Sequence, residues 1–267
     1  MNILFIGDVY SKIGREILLK HLDEIRNEYS IDFTIANIEN LAGGVGVTPK
    51  TLAKINSLNI DVYTSGNHIW DKKEIFPYLE ENECNIVIPV NYPEIVKGKR
   101  VIKKECYNNN IYVLCAQGRV FMPPIDCPFW ALKREIEKIK EENNEAVIII
   151  DFHAEATSEK KAMGYFLDGK VSAVLGTHTH IQTADEQILP NGTAYITDVG
   201  MTGPFHSVIG VEKDVIIQRF LTAGAYSERF KASKGAGILN AVVIKIDETN
   251  GKAINIKRIY KVYDKKS

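Results

Sequence analysis

Four of the chain's six histidines stand just past short apolar runs, and carboxylates and carboxamides stand in equivalent places. "NILFIG" (2–7) leads into Asp8, "DFTIANI" (32–38) into Glu39 and Asn40, and "DVYTSG" (61–66) into Asn67 and His68. "AVIIID" (146–151) is followed by His153, and "VSAVLG" (171–176) by His178 and His180. Carboxylate, carboxamide and imidazole are the donors that hard and borderline divalent cations take. Each residue also has a plainer reading. Asp8 could cap a turn, Glu39-Asn40 could serve the bend into "LAGGVG", Asn67 a turn after Gly66, and His153 a hydrogen-bonded place in the core. His178-x-His180 reads more strongly, because alternate residues of an extended chain point the same way. The plain reading needs the same coincidence at five run ends, and a shared metal site needs it once.

The runs, together with "IYVLCA" (111–116) and "TAYITD" (193–198), are β-branched and short enough for strands. Helix-like segments separate them at 12–28, 48–58, 71–82, 128–143, 158–166 and 212–223. In the first, Ile13, Ile17, Leu18, His21, Leu22 and Ile25 share one face, and Ser11 stands where an N-cap belongs. Thr48-Pro49 reads as a cap followed by a proline in the first turn. Alternating strands and helices predict an α/β layered core, in which ligands bind at the carboxyl ends of the strands. The last part differs: 237–263 reads as two strands joined at Asn250-Gly251. No linker or repeat divides the chain, so one domain over 1–267 is expected. The stretches 89–104, 116–128 and 198–211 read as irregular.

With Lys+Arg 33 against Asp+Glu 34 the net charge is -1, which argues against duplex nucleic acid as a partner. No run approaches the roughly 20 apolar residues of a membrane span. The N-terminal residues show no secretion signal, and the four cysteines show no C-x-x-C spacing. A cytoplasmic location is expected, with homo-oligomerisation left open. His21, inside a helical pattern with no companion donor, reads as structural, and His206 as a loop residue.

"GDVYSKIGR", "NIENLAGGVGVT", "SGNHIWD", "DFHAEATSEK", "LGTHTHIQTADEQILPNGTAYITDVGMTGP" and "SVIG" together resemble the YmdB-type metallophosphoesterases, nearly end to end and in family order. The wider calcineurin-like superfamily has D-x-H where this chain has Asp8-Val9-Tyr10, and G-D where it has Glu39-Asn40. The YmdB-type branch shares both changes, Asn40 filling the place of the absent histidine. The resemblance implies a four-layer α/β/β/α sandwich and two divalent ions, iron or manganese first and zinc as another option. It assigns Asp8, Glu39, Asn40 and His180 to one ion, and Glu39, Asn67, His153 and His178 to the other, with Glu39 bridging. It further implies hydrolysis of phosphodiesters, notably 2′,3′-cyclic nucleotides.

The chemistry suits these residues. A nucleophile must approach an anion, and two cations about 3.5–4 Å apart counter that charge and acidify the water between them. Neutral Asn and His ligands keep the carboxylates from over-neutralising the pair. His68, beside Asn67, stands where the superfamily's G-N-H histidine does and could protonate the leaving oxygen. Arg119, Phe121 and Met122 could meet the substrate or simply form a surface loop. A phosphomonoesterase or phosphoprotein phosphatase would use the same metal frame, and a metal- or nucleotide-binding regulatory module is the alternative outside enzymes.

Overall fold

The computed structural model describes residues 1–226 and 228–264. In chain order the elements are β1 (Asn2–Ile6), β2 (Asp8–Val9), α1 (Ser11–Tyr29), β3 (Phe33–Asn37), α2 (Pro49–Leu52), β4 (Val62–Thr64), α3 (Phe76–Leu79), β5 (Val101–Cys106) and β6 (Asn109–Gln117). After these come α4 (Pro128–Glu142), β7 (Val147–His153), α5 (Thr157–Leu167), β8 (Ala173–Thr177), β9 (Gln187–Ile188), β10 (Ala194–Ile196), β11 (Met201–Pro204), α6 (Lys213–Leu221), β12 (Gly237–Ile246) and β13 (Ala253–Tyr263).

The strands form two sheets. One runs β2-β11-β12-β1-β3-β4, with β13 on the other edge of β12; the second runs β5-β6-β7-β8-β10-β9. Strands β1, β3 and β4 are parallel, as are β6, β7, β8 and β10. Period-two alternation then sets the layers. Ile3, Phe5 and Ile35 of the first sheet meet Val113, Ile149 and Leu175 of the second in a shared inner core. Leu4, Ile6 and Ala36 face outward under α1, whose Ile17, Leu18, Leu22 and Ile25 are buried on them. Each of these helix residues gives about 1.5–3 kcal/mol by leaving water. Leu114, Ile148 and Ile150 face outward under α4 and α5. The result is the expected α/β/β/α sandwich.

Several local readings need adjustment. Ser11 does not cap α1: it is the helix's first residue, at φ 58°, after Tyr10, and no side-chain cap forms. Thr48 does cap α2, in a reciprocal arrangement with Thr51, and Pro49 opens the helix. That helix lasts one turn, and the segment 71–82 holds only a 3-10 turn and the four-residue α3. The irregular stretches conceal the starts or whole of β5 and β11. The terminal hairpin forms as expected, with Gly251 at φ 68° in its turn. His21 stacks on Tyr263 at 3.8 Å, a packing role. Among the described residues no helix is long and apolar enough to cross a membrane.

Candidate metal centre

Parallel pairing within each sheet, and the stacking of the two sheets, bring the strand ends together. Asp8 lies in β2 just past β1, Glu39 and Asn40 come after β3, Asn67 and His68 open a 3-10 turn (Asn67–Asp71) after β4, and His153 ends β7. His178 and His180 lie beyond the end of β8. Asp8, Glu39, Asn40, His153 and His180 are buried, while Asn67, His68 and His178 are partly open.

Two clusters of donor atoms result. Around His153 Nε2 stand Glu39 Oε1 at 3.1 Å, Asn67 Oδ1 at 3.1 Å and His178 Nδ1 at 3.0 Å. In the other, His180 Nε2 lies 3.2 Å from Asn40 Oδ1. Asp8 Oδ2 accepts from the His178 backbone N–H at 3.2 Å, and Asp8 Oδ1 lies 3.9 Å from His153 Nδ1.

The surrounding hydrogen bonds fix which atoms carry lone pairs into the clusters. The Thr177 hydroxyl donates to Asp151 at 2.6 Å, so it accepts from His153 Nδ1–H at 2.8 Å and leaves Nε2 as the inward atom. The buried Asp151 carboxylate also accepts from Asn37 and Thr64. The Ile209 carbonyl accepts from His180 Nδ1–H at 2.9 Å, and Asn40 Nδ2 donates to the Gly44 carbonyl at 3.0 Å. His180 Nε2 and Asn40 Oδ1 therefore face each other as two acceptors, which no hydrogen bond reconciles and a cation does. Among the described residues, Asp8 Oδ1 and Glu39 Oε1 are buried without a hydrogen-bond partner. Orphaned buried acceptors of this kind are costly unless something positive meets them. Glu39, His153 and His178 form a group with ligand atoms within 4.8 Å of one another. Donors about 2.1 Å from one ion stand about 3 Å apart, so the spacing fits a divalent ion.

Charge supports the same fit. Burial alone would raise the Glu39 carboxyl, but His153 overrides it and holds it at about 2. Burial alone would lower His153, and Glu39 lifts it to about 9. Burial and the neighbouring His153 lower His178 to about 3, and burial lowers His180. Asp8 is raised by burial and by Glu39 against the pull of His153. Below pH 9 a proton thus bridges Glu39 and His153, and an entering cation must expel it. Binding of Mn²⁺ is expected to release protons there, and its apparent affinity to climb about tenfold per pH unit toward pH 9 before levelling. Titration in weakly buffered solution with a pH indicator checks this; affinity flat from pH 6 to 9 would contradict it.

Several supporting residues escaped the sequence reading. Glu155 Oε2 sits 3.2 Å from His178 Nε2 and turns the other nitrogen inward. Asp71 accepts from His68 Nδ1–H at 2.6 Å, and the His68 backbone N–H donates to Glu39 Oε2 at 3.1 Å. Only the i,i+3 spacing in "SGNHIWD" hinted at Asp71. The histidine pair is also not extended: His178 has φ 96° and His180 φ 67°. Left-handed backbone at two non-glycine residues is costly and clusters at functional sites. It also explains how neighbours two apart reach different clusters. Phe121 is 90% exposed on a left-handed backbone, and His206 is exposed.

Gly66 carries a sharper constraint. A Cβ there would fall 2.3 Å from His153 Cδ2 and 2.4 Å from both Glu39 Oε2 and His153 Nε2. Gly66→Ala is expected to fold and to lose at least about tenfold in metal affinity. Elemental analysis beside circular dichroism checks it, and full metal content would refute the crowding.

A family model described as YmdB-like protein matches residues 4–259. The 2′,3′-cyclic-nucleotide 2′-phosphodiesterase of Bacillus subtilis (strain 168) is 46% identical over 97% of this chain and 96% of its own length. A hypothetical protein from Thermus thermophilus superposes with TM-score 0.90 at 40% identity, over 98% of this chain and all of that one. A structure from Mycoplasma pneumoniae, described as a novel phosphatase, superposes with TM-score 0.91 at 34% identity, over 100% and 95% of the two chains. This chain belongs to the YmdB-like family.

Proposed function

We propose that this protein is a metal-dependent phosphodiesterase acting on 2′,3′-cyclic nucleotides, built as one domain around two divalent ions. The observation that carries the reading is the pair of buried acceptors His180 Nε2 and Asn40 Oδ1, which face each other at 3.2 Å with their donor groups committed elsewhere. The B. subtilis relative supports the substrate class.

Asp8, Glu39, Asn40 and His180 would hold one ion, and Glu39, Asn67, His153 and His178 the other. Bound there, the pair would supply positive charge against the phosphoryl oxygens and acidify water, with manganese or iron suited to the mixed N/O set. The chain's own groups do the rest. Asp151 through Thr177, Ile209 through its carbonyl, and Glu155 directly set the three imidazoles. Asp71 holds the His68 ring with Nδ1 committed, so a proton at Nε2 is the one available to a departing ribose oxygen.

Metal analysis of the purified chain should be paired with turnover of 2′,3′-cyclic AMP, 3′,5′-cyclic AMP, a chromogenic diester and a phosphoserine peptide. Preference for the first supports the proposal. Preference for the peptide would favour a phosphatase, in line with the description of the M. pneumoniae protein. Metal binding without turnover of any would favour a regulatory module.

A further inference from the structure

Behind the two histidines lies a buried charge pair that the hydrolytic reading does not use. Lys160, in the first turn of α5, is 1% exposed, and among the described residues no other lysine is buried. Its Nζ donates to Asp198 Oδ2 at 2.6 Å and to the Thr177 carbonyl at 2.7 Å. The same Asp198 oxygen accepts from the Thr179 backbone N–H at 3.1 Å and from the Thr179 hydroxyl at 2.8 Å. Asp198 Oδ1 accepts from the Gly200 N–H at 2.8 Å. The pair thus grips the residue before His178 and the residue between His178 and His180.

The histidines that these two residues flank are where the backbone is least willing: His178 and His180 both hold left-handed φ values, a region uncommon for non-glycine residues even though histidine enters it more readily than most. Burying an ammonium and a carboxylate is itself costly, and an apolar pair would pack this site at least as well. The hydrogen bonds are what a methionine or leucine could not supply. They fix the backbone on either side of His178, whose Nδ1 faces His153, and just before His180, whose Nε2 faces Asn40.

We propose that Lys160 and Asp198 are positioning residues, which hold the strained Thr177–His180 turn so that its two histidines reach separate ions. The inference rests on the two-ion reading above. The test is Mn²⁺ titration of the full chain, wild type against Lys160→Met, with circular dichroism for folding and electron paramagnetic resonance for coupling between two Mn²⁺ ions. Wild type should bind two ions with a coupled signal. Lys160→Met keeps the stem, and it should fold, bind Mn²⁺ at least about tenfold more weakly and lose the coupled signal. Unchanged affinity and coupling in a folded Lys160→Met chain would overturn the proposal while leaving the two-ion reading intact. If wild type binds no Mn²⁺, the two-ion reading fails, and this proposal with it. Should Lys160→Met not fold, Thr179→Val removes one hydrogen bond to Asp198 from a partly open residue. Weakened Mn²⁺ binding there supports the proposal, and wild-type binding overturns it.

Discussion

Glu39→Gln is expected to remove hydrolysis of 2′,3′-cyclic AMP by a factor on the order of 10³ or more, about 4 kcal/mol of barrier, while the chain still folds. The glutamine has the same shape, so packing is not the issue. Glu39 is 1% exposed, and among the described residues its Oε1 has no hydrogen-bond partner, although it stands 3.1 Å from His153 Nε2. A buried carboxylate left so is tolerated when a positive charge meets it. The amide either turns its NH₂ toward that charge or offers a neutral oxygen in place of an anion. Both would weaken whichever ions Glu39 holds, and under the proposed two-ion reading both ions would lose a ligand at once. The metal-free protein gives the control. Its Glu39–His153 pair stabilises the fold fully between about pH 4.5 and 6.5, and that support fades as pH falls toward 2 or rises through 9. Melting in chelator should therefore show the largest cost of Glu39→Gln inside that window. Two bound ions and unchanged turnover in the variant would sink the assignment.

The layers were legible because β-branched runs at regular spacing leave little choice. Ile3 and Phe5 must face one way and Leu4 and Ile6 the other, and each face then requires cover. The site's residue types were legible for a related reason. A parallel sheet delivers the residues just past its strand ends to one edge, which groups Asp8, Glu39 and Asn67 on one sheet and His153 and His178 on the other; the stacking of the two sheets then joins the groups. Sequence could not supply the contacts that depend on a partner distant in the chain. Asp198 and Lys160 are 38 residues apart, and Glu155 meets His178 across the β7–α5 connection and β8. The Gly66 constraint arises from Glu39 and His153 side chains that only the fold brings beside it. Backbone sign was equally hidden. His178-x-His180 in an extended chain predicts two imidazoles on one side, whereas left-handed φ at both sends them apart. Ser11 failed as a cap for a local version of the same reason, its own positive φ.

His68→Ala separates the proton from the ions. The imidazole is about a third exposed, so it lies where a substrate can reach it, and its backbone N–H fastens it to Glu39 Oε2. Asp71 holds Nδ1–H at 2.6 Å and so fixes which nitrogen is free. Loss of a general acid costs about 10²–10⁴ in rate, and the alanine removes no atom of the two donor clusters. Metal content should therefore stay at the wild-type value while turnover of 2′,3′-cyclic AMP falls by about that factor. The leaving group discriminates between roles. A ribose alkoxide needs a proton as it departs, and a nitrophenolate does not. If His68 supplies that proton, the chromogenic diester should lose far less than the cyclic nucleotide. Equal losses on both would mean that His68 only orients the phosphate, and no loss on either would remove it from the mechanism. Asp71→Asn should move the cyclic nucleotide in the same direction by a smaller factor, because an amide oxygen can still accept the Nδ1–H bond but holds the ring less firmly than a charged carboxylate does.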